Sequence, residues 1–120
     1  MTAPRPTELT LHQASRVLEV GYQDGANFRL SCEYLRVHSP SAEVQGHGPN
    51  ERVLQVGKQL VNIRAIHPVG NYAVALEFDD GHRTGIYSFA LLYELGRDYE
   101  KNWQNYLDRL NAAGASRLAQ

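Results

Sequence analysis

The sequence predicts an α+β domain, mostly antiparallel β-sheet built from two Asp-Gly hairpins, with helices toward the C-terminal end. Three observations predict it. Residues 18–35 and 74–91 match each other, each reading as strand, Asp-Gly turn, strand and aromatic-rich helical start. Short β-rich runs precede both, at residues 8–12 and 63–69. Beyond Asp98, Tyr99, Trp103, Tyr106, Leu107 and Leu110 fall on one face of a helix.

In order, the Pro-containing opening reads as a loose tail over residues 1–7, and Glu8-Leu9-Thr10-Leu11-His12 alternates as a half-buried strand does, with Leu9 and Leu11 on one face. A turn at residues 13–15 leads to Val17-Leu18-Glu19-Val20-Gly21-Tyr22, then Asp24-Gly25, then Ala26-Asn27-Phe28-Arg29-Leu30-Ser31. Asp-Gly between β-rich runs favours a tight hairpin, because Gly accepts positive φ and Asp bonds the local backbone. Gly70-Asn71 joins the strand at 63–69 to the second copy, residues 72–78, Asp80-Gly81 and residues 82–87. Superposing the two turns pairs Val20 with Leu76, Tyr22 with Phe78, Leu30 with Ile86 and Leu35 with Leu91, all expected on the inward face. A helix then runs over residues 88–95, with Ser88 as N-cap and Gly96 as its stop. Asp98 is expected to cap the last helix and Gly114 to end it, leaving a frayed tail over 115–120.

A chain of 120 residues with 42% hydrophobic content suits one domain over residues 1–120. The net charge of -1 gives no field to attract nucleic acid or anionic membrane, so neither is an expected partner. Cys32 is the only cysteine, no secretory signal opens the chain and no run is long enough to span a bilayer. A cytoplasmic monomer or weak homo-oligomer is expected.

Three histidines, His38, His47 and His82, fall in loops or turns, and imidazole is a common ligand of Zn and Fe. They converge only if the loop at 37–48 folds back over the second turn. The bland reading has His38 and His47 bonding the loop backbone and His82 solvated. Neither His-Glu-x-x-His nor Cys-x-x-Cys is present. Cys32 has no activating pattern and reads as core, and Ser39 and Ser41 around Pro40 read as turn hydroxyls. Asp79 and Asp80 are better explained by the turn than by a cation or acid-base chemistry. Arg36, Arg52, Lys58 and Arg64 read as solvated charges unless the loop gathers them into a patch. Trp103 reads as packing surface or, if exposed, as a partner anchor.

The run from Glu33 to Val44 is followed by Gly46-His47-Gly48, by Gly70-Asn71-Tyr72-Ala73-Val74, and by Phe78-Asp79-Asp80-Gly81-His82 with Thr84-Gly85-Ile86-Tyr87-Ser88. On these residues the chain resembles the small stand-alone bacterial members of the DUF971 family, also described as gamma-butyrobetaine hydroxylase-like, N-terminal domain. In hydroxylases with such a domain, a separate catalytic domain binds Fe(II) and 2-oxoglutarate. That domain has no counterpart here, so the resemblance does not imply hydroxylase activity. It does imply a structural zinc, held in those proteins by three cysteines and one histidine. His82 matches the histidine, but the cysteine positions fall on or near Ser39, Ser41 and Val44, which supply no thiolate. Any Zn or Fe ion would need replacement ligands from His38 or His47. Related domains fused to P-loop ATPases that resemble iron–sulfur carriers imply an accessory role near iron or cluster handling.

The leading expectation is therefore a small non-enzymatic binding or accessory domain, linked to iron or iron–sulfur proteins. Its recognition surface is expected around Arg36, Ser39, Ser41 and Glu43, with Trp103 as a further anchor. A metal-binding protein using His38, His47 and His82 is the rival, and an enzyme of unknown reaction the third reading.

Overall fold

The computed structural model describes residues 5–45 and 53–118. Two three-stranded antiparallel sheets carry the architecture: β1 (Pro6–His12), β2 (Val17–Tyr22) and β3 (Asn27–Ser31) in that spatial order, then β4 (Ile63–Val69), β5 (Ala73–Phe78) and β6 (Ile86–Ser88). Short helices α1 (Cys32–Val37) and α2 (Ala42–Gln45) follow the first sheet, and α3 (Phe89–Arg97) and α4 (Tyr99–Ala112) follow the second. The α+β class is the one the sequence predicts. Strand β1 begins at Pro6, inside the expected tail, because Pro6 pairs with Tyr22 across a bulge before Glu8. Residues 115–118 are also held rather than frayed: the Gly57 and Gln59 amides donate to the Ser116 and Arg117 carbonyls, each at 3.0 Å.

Inward-facing residues of both sheets meet in one core containing Leu18, Val20, Leu30, Ile63, Leu76 and Phe78, all nearly inaccessible to water. Burying apolar area of this kind is the main driving force for the fold. Three core tyrosines dispose of their hydroxyls on backbone carbonyls: Tyr22 on Phe89, Tyr34 on Leu95 and Tyr87 on Leu35. Two of these bonds tie a helix to a sheet and the Tyr34 bond ties α1 to α3, leaving no buried phenol unpaired among the described residues.

Both Asp-Gly turns have the same backbone. The Gly25 amide donates to Tyr22 O and the Gly81 amide to Phe78 O, and Gly25 and Gly81 sit at φ +90° and +92°. The Tyr22 amide reaches Ala26 O and the Phe78 amide His82 O, each at 2.8 Å. This is the three-residue hairpin loop with a left-handed glycine.

The arms then diverge. Register stays constant from Gly21↔Asn27 to Val17↔Ser31, whereas one extra residue has entered the second arm before Ala75 pairs with Ile86. A one-residue slip turns each side chain to the opposite face. Hence Tyr87, not Ile86, enters the core, and Ile86 is half exposed although the superposed hairpins place it inward. Leu91 is likewise only partly buried, where Leu35 is fully buried.

Two helix ends differ from expectation. Ser88 caps α3, its hydroxyl accepting the Leu91 amide, but Gly96 lies within the helix rather than stopping it. A Cβ there would come within 2.3 Å of the Phe28 ring, so close helix–sheet packing is the reason for the glycine. Asp98 makes no side-chain cap to α4; its carboxylate is forked with the Arg97 guanidinium instead. Gly114, at φ +64°, does follow the end of α4.

Candidate functional site: the loop clasped by His82

Ser31 fixes the start of α1 by accepting the Tyr34 amide, and the helix delivers the chain into the 38–45 loop. Across from it, the second Asp-Gly turn brings up His82. Its amide is held by Asp80 Oδ1 at 3.1 Å, as Ala26 is held by Asp24 at 2.9 Å. The imidazole is buried and joins the loop on both sides, with Nε2 at 2.8 Å from Ser39 Oγ and Nδ1 at 3.2 Å from Glu43 Oε2. Because Glu43 can only accept when ionised, the neutral ring carries its proton on Nδ1 and accepts from the Ser39 hydroxyl at Nε2.

Further bonds complete the clasp. Ser41 Oγ lies 2.6 Å from Thr84 Oγ1 and takes the Glu43 amide, Ser39 Oγ takes the Ser41 amide, and Gln45 Nε2 donates to Ser39 O. Gly85 passes so close that a Cβ would lie 2.5 Å from Ser39 Oγ. Below the clasp, Asp80 Oδ2 receives Arg36 Nε at 2.9 Å and Lys58 Nζ at 2.6 Å, and Arg36 also donates to Gln55. Burial pushes the Asp80 carboxyl up, but Lys58, the His82 amide and Arg36 outweigh it and hold it below its ordinary value. Burial, seconded by Arg36, pulls His82 below 6.5, with Glu43 and Asp80 opposing.

In bonding order, Ser39, His82 and Glu43 resemble a hydrolytic triad, but the exposures run the wrong way. Ser39 is fully buried, whereas the Glu43 side chain is 66% exposed. A nucleophile must face substrate and its orienting carboxylate must be sheltered. Ser39 instead braces the loop.

Nor do these residues fit the zinc site that the resemblance implies. Ser39 and Ser41 offer neutral hydroxyls already engaged within the clasp, Val44 offers hydrocarbon, and both His82 nitrogens have partners. Among the described residues no three His, Cys, Asp or Glu side chains form a group able to hold a metal ion. His47 and Arg52 lie outside the described residues. His38 ends α1 with Nδ1 on Tyr34 O at 3.0 Å and its ring against Tyr34.

A cleft of 560 Å³ lies beside the loop, walled by His38, Pro40 and Gln45 on one side and by Leu91, Glu94 and Asn102 of α3 and α4 on the other. Trp103 is elsewhere, stacked on Tyr99 at 6.1 Å and 9°. Cys32 is buried, 3.7 Å from Asn62 Oδ1, and desolvation raises its thiol to about 11, which leaves it protonated and inert. Thr84, Gln45 and the Asp80 ion pairs are the participants that sequence reading missed. Local sequence carried no signal for Thr84 or Arg36, whose partners Ser41 and Asp80 lie 43 and 44 positions away.

The model of the gamma-butyrobetaine hydroxylase-like, N-terminal family matches residues 9–93. The chain belongs to that family. Two of its structural neighbours were solved by NMR in solution: one is 44% identical with a TM-score of 0.85, covering 99% of this chain and 94% of its own. The other is 55% identical with a TM-score of 0.82, covering 98% of this chain and 90% of its own. A crystal structure of a DUF971 protein of unknown function from Acidithiobacillus ferrooxidans is 39% identical with a TM-score of 0.65, covering 77% of this chain and 92% of that one. No curated protein matches. The matched span of this gamma-butyrobetaine hydroxylase-like N-terminal domain includes every clasp residue from Ser39 to Thr84. No helix among the described residues is long and apolar enough to cross a membrane.

Proposed function

We propose that the chain is a non-enzymatic accessory module that binds another protein through the clasped loop and the adjoining cleft. One observation carries this reading: the side chains equipped for chemistry are spent on bracing the loop, with Ser39 buried and His82 bonded on both sides. Such bracing lowers the entropic cost of presenting a surface, the general benefit of preorganisation. Glu94 lines the cleft and the Glu43 side chain is exposed on the clasped loop, so both offer charge to a partner. The class of partner suggested by the family resemblance is a protein that handles iron or iron–sulfur clusters.

The test compares proteins captured from the native host by immobilised wild type with those captured by Glu43→Arg and Glu94→Arg. A stoichiometric partner lost from both variants, each still folded by circular dichroism, supports the reading. A partner retained equally by both defeats it. Metal analysis of untagged protein settles the rival: one equivalent of Zn or Fe in wild type, absent from His82→Ala, would replace recognition with metal binding.

A further inference from the structure

A second constellation shares α1 with the clasp but none of its side chains. Glu33 is 5% exposed, and both carboxylate oxygens are taken by Arg117, Nε on Oε2 and Nη2 on Oε1, each at 2.8 Å. The same guanidinium lies 5.1 Å from the centroid of the Trp103 ring, which is itself stacked on Tyr99. A carboxylate fork and an aromatic face around one planar cation are the features that select arginine over lysine. They line an open depression of 450 Å³ together with Arg16, Gln59 and Leu60.

Arg117 reaches this depression from the C-terminal segment. Besides its own side chain, that segment is joined to the 57–59 stretch by the two backbone bonds already described, while Leu118 is 63% exposed. Lifting the segment would leave the Glu33 carboxylate without its forked countercharge, since Arg16, which also lines the depression, is turned to Leu60 O, and that state favours another cation. The carboxylate fork and aromatic face at the wall of this depression are therefore suited to a guanidinium, and the chain's own Arg117 holds that place.

We propose that Glu33, Tyr99 and Trp103 form an arginine-binding pocket that Arg117 occupies in cis, and that a partner protein inserts an arginine side chain there when the 115–118 strap lifts. The proposal stands independently of the clasped loop. Its occupant is fixed by charge complementarity: a buried carboxylate beside an aromatic wall, with Arg117 of the 115–118 strap as the present ligand.

Trp103 is the only tryptophan, so its emission reports the pocket directly. Full-length Arg117→Ala should bind N-acetyl-arginine amide with a saturable change in that emission. Wild type, whose own Arg117 competes, should respond at least tenfold more weakly, and N-acetyl-lysine amide should bind Arg117→Ala at least tenfold more weakly than the arginine compound. The double variant Arg117→Ala, Glu33→Gln should lose the response. No saturation in folded Arg117→Ala, or equal binding in the double variant, overturns the proposal. If Arg117→Ala does not fold unaided, millimolar ethylguanidinium should restore it and ethylammonium should not; failure of that rescue overturns it too. A concentration-dependent wild-type dimer that Arg117→Ala abolishes would instead assign the pocket to the tail of a second copy.

Discussion

The two Asp-Gly turns share a backbone and differ in what their side chains hold. Asp24 caps the Ala26 amide and receives the Tyr93 hydroxyl at the surface, while Asp80 caps the His82 amide and collects Arg36 and Lys58. After the first turn the ladder continues unbroken into β3; after the second, the chain bulges between His82 and Gly85, whose carbonyls still bond β5, and regular pairing resumes only in the three residues of β6. Turn chemistry thus fixes where the chain reverses, and the residues that follow decide whether it builds sheet or a site.

The largest separation between the turns should come from their aspartates. Asp80→Ala strands Arg36, whose side chain is 9% exposed, and should destabilise the fold by about 3 kcal/mol, the lower end for breaking a buried pair because Asp80 itself is partly exposed. Asp24→Ala removes only surface bonds and should cost a small fraction of that. Urea midpoints at constant m measure both. Equal losses would show that the Asp80 ion pairs contribute nothing beyond the shared turn. Next is His82→Ala, which deletes two hydrogen bonds and leaves Ser39 Oγ buried without the imidazole, at a cost of about 2 kcal/mol. Hydrogen exchange should rise at the Ser41 and Glu43 amides while the turn amide of Gly25 stays protected; unchanged exchange in the loop would mean that His82 does not hold it.

The glycines test the opposite side of the comparison, what the turns have in common. Neither Gly25 nor Gly81 has an atom within 4 Å of where a Cβ would be, so Ala substitution tests the left-handed backbone alone. Each should lose about 1 kcal/mol, and the two losses should agree closely. A markedly larger loss at Gly81 would mean that the clasp strains the second turn.

Much of this was legible beforehand. Local grammar located the strands, both turns, the Ser88 cap and the apolar stripe of α4, because each depends on neighbours a few positions away. The same grammar misassigned Gly96, whose reason lies on β3 in the Phe28 ring, and it gave Asp98 a capping role that adjacent Arg97 usurps. It placed Ile86 inward because nothing in residues 82–85 announces an extra residue in one arm. Helix α2 has no sequence signature, four residues being too short for a periodic signal. In the site, Ser39 and Glu43 meet His82, and Ser41 meets Thr84 just beyond that turn. Arg36 read as a solvated charge because its countercharge lies forty-four positions away.

The subtlest contrast is with pH, since His82 has a non-titrating alanine as its counterpart. Burial and Arg36 hold the folded imidazole below 6.5, so the unfolded chain binds a proton that the folded one resists. The stability tied to neutral His82 is complete above pH 6.5 and drains as pH falls from there through the lowered folded value; Asp80 adds its own loss further down, below its ordinary value of 3.8. Subtracting the urea midpoints of His82→Gln, a neutral side chain of similar reach, removes every other titrating group. The wild-type advantage should shrink as pH falls below about 6.5, with a slope of no more than about 1.4 kcal/mol per pH unit for one proton. An advantage that grows on acidification would mean that Glu43 and Asp80 outweigh burial and Arg36, making the clasp an imidazolium–carboxylate pair rather than a neutral hydrogen-bond relay.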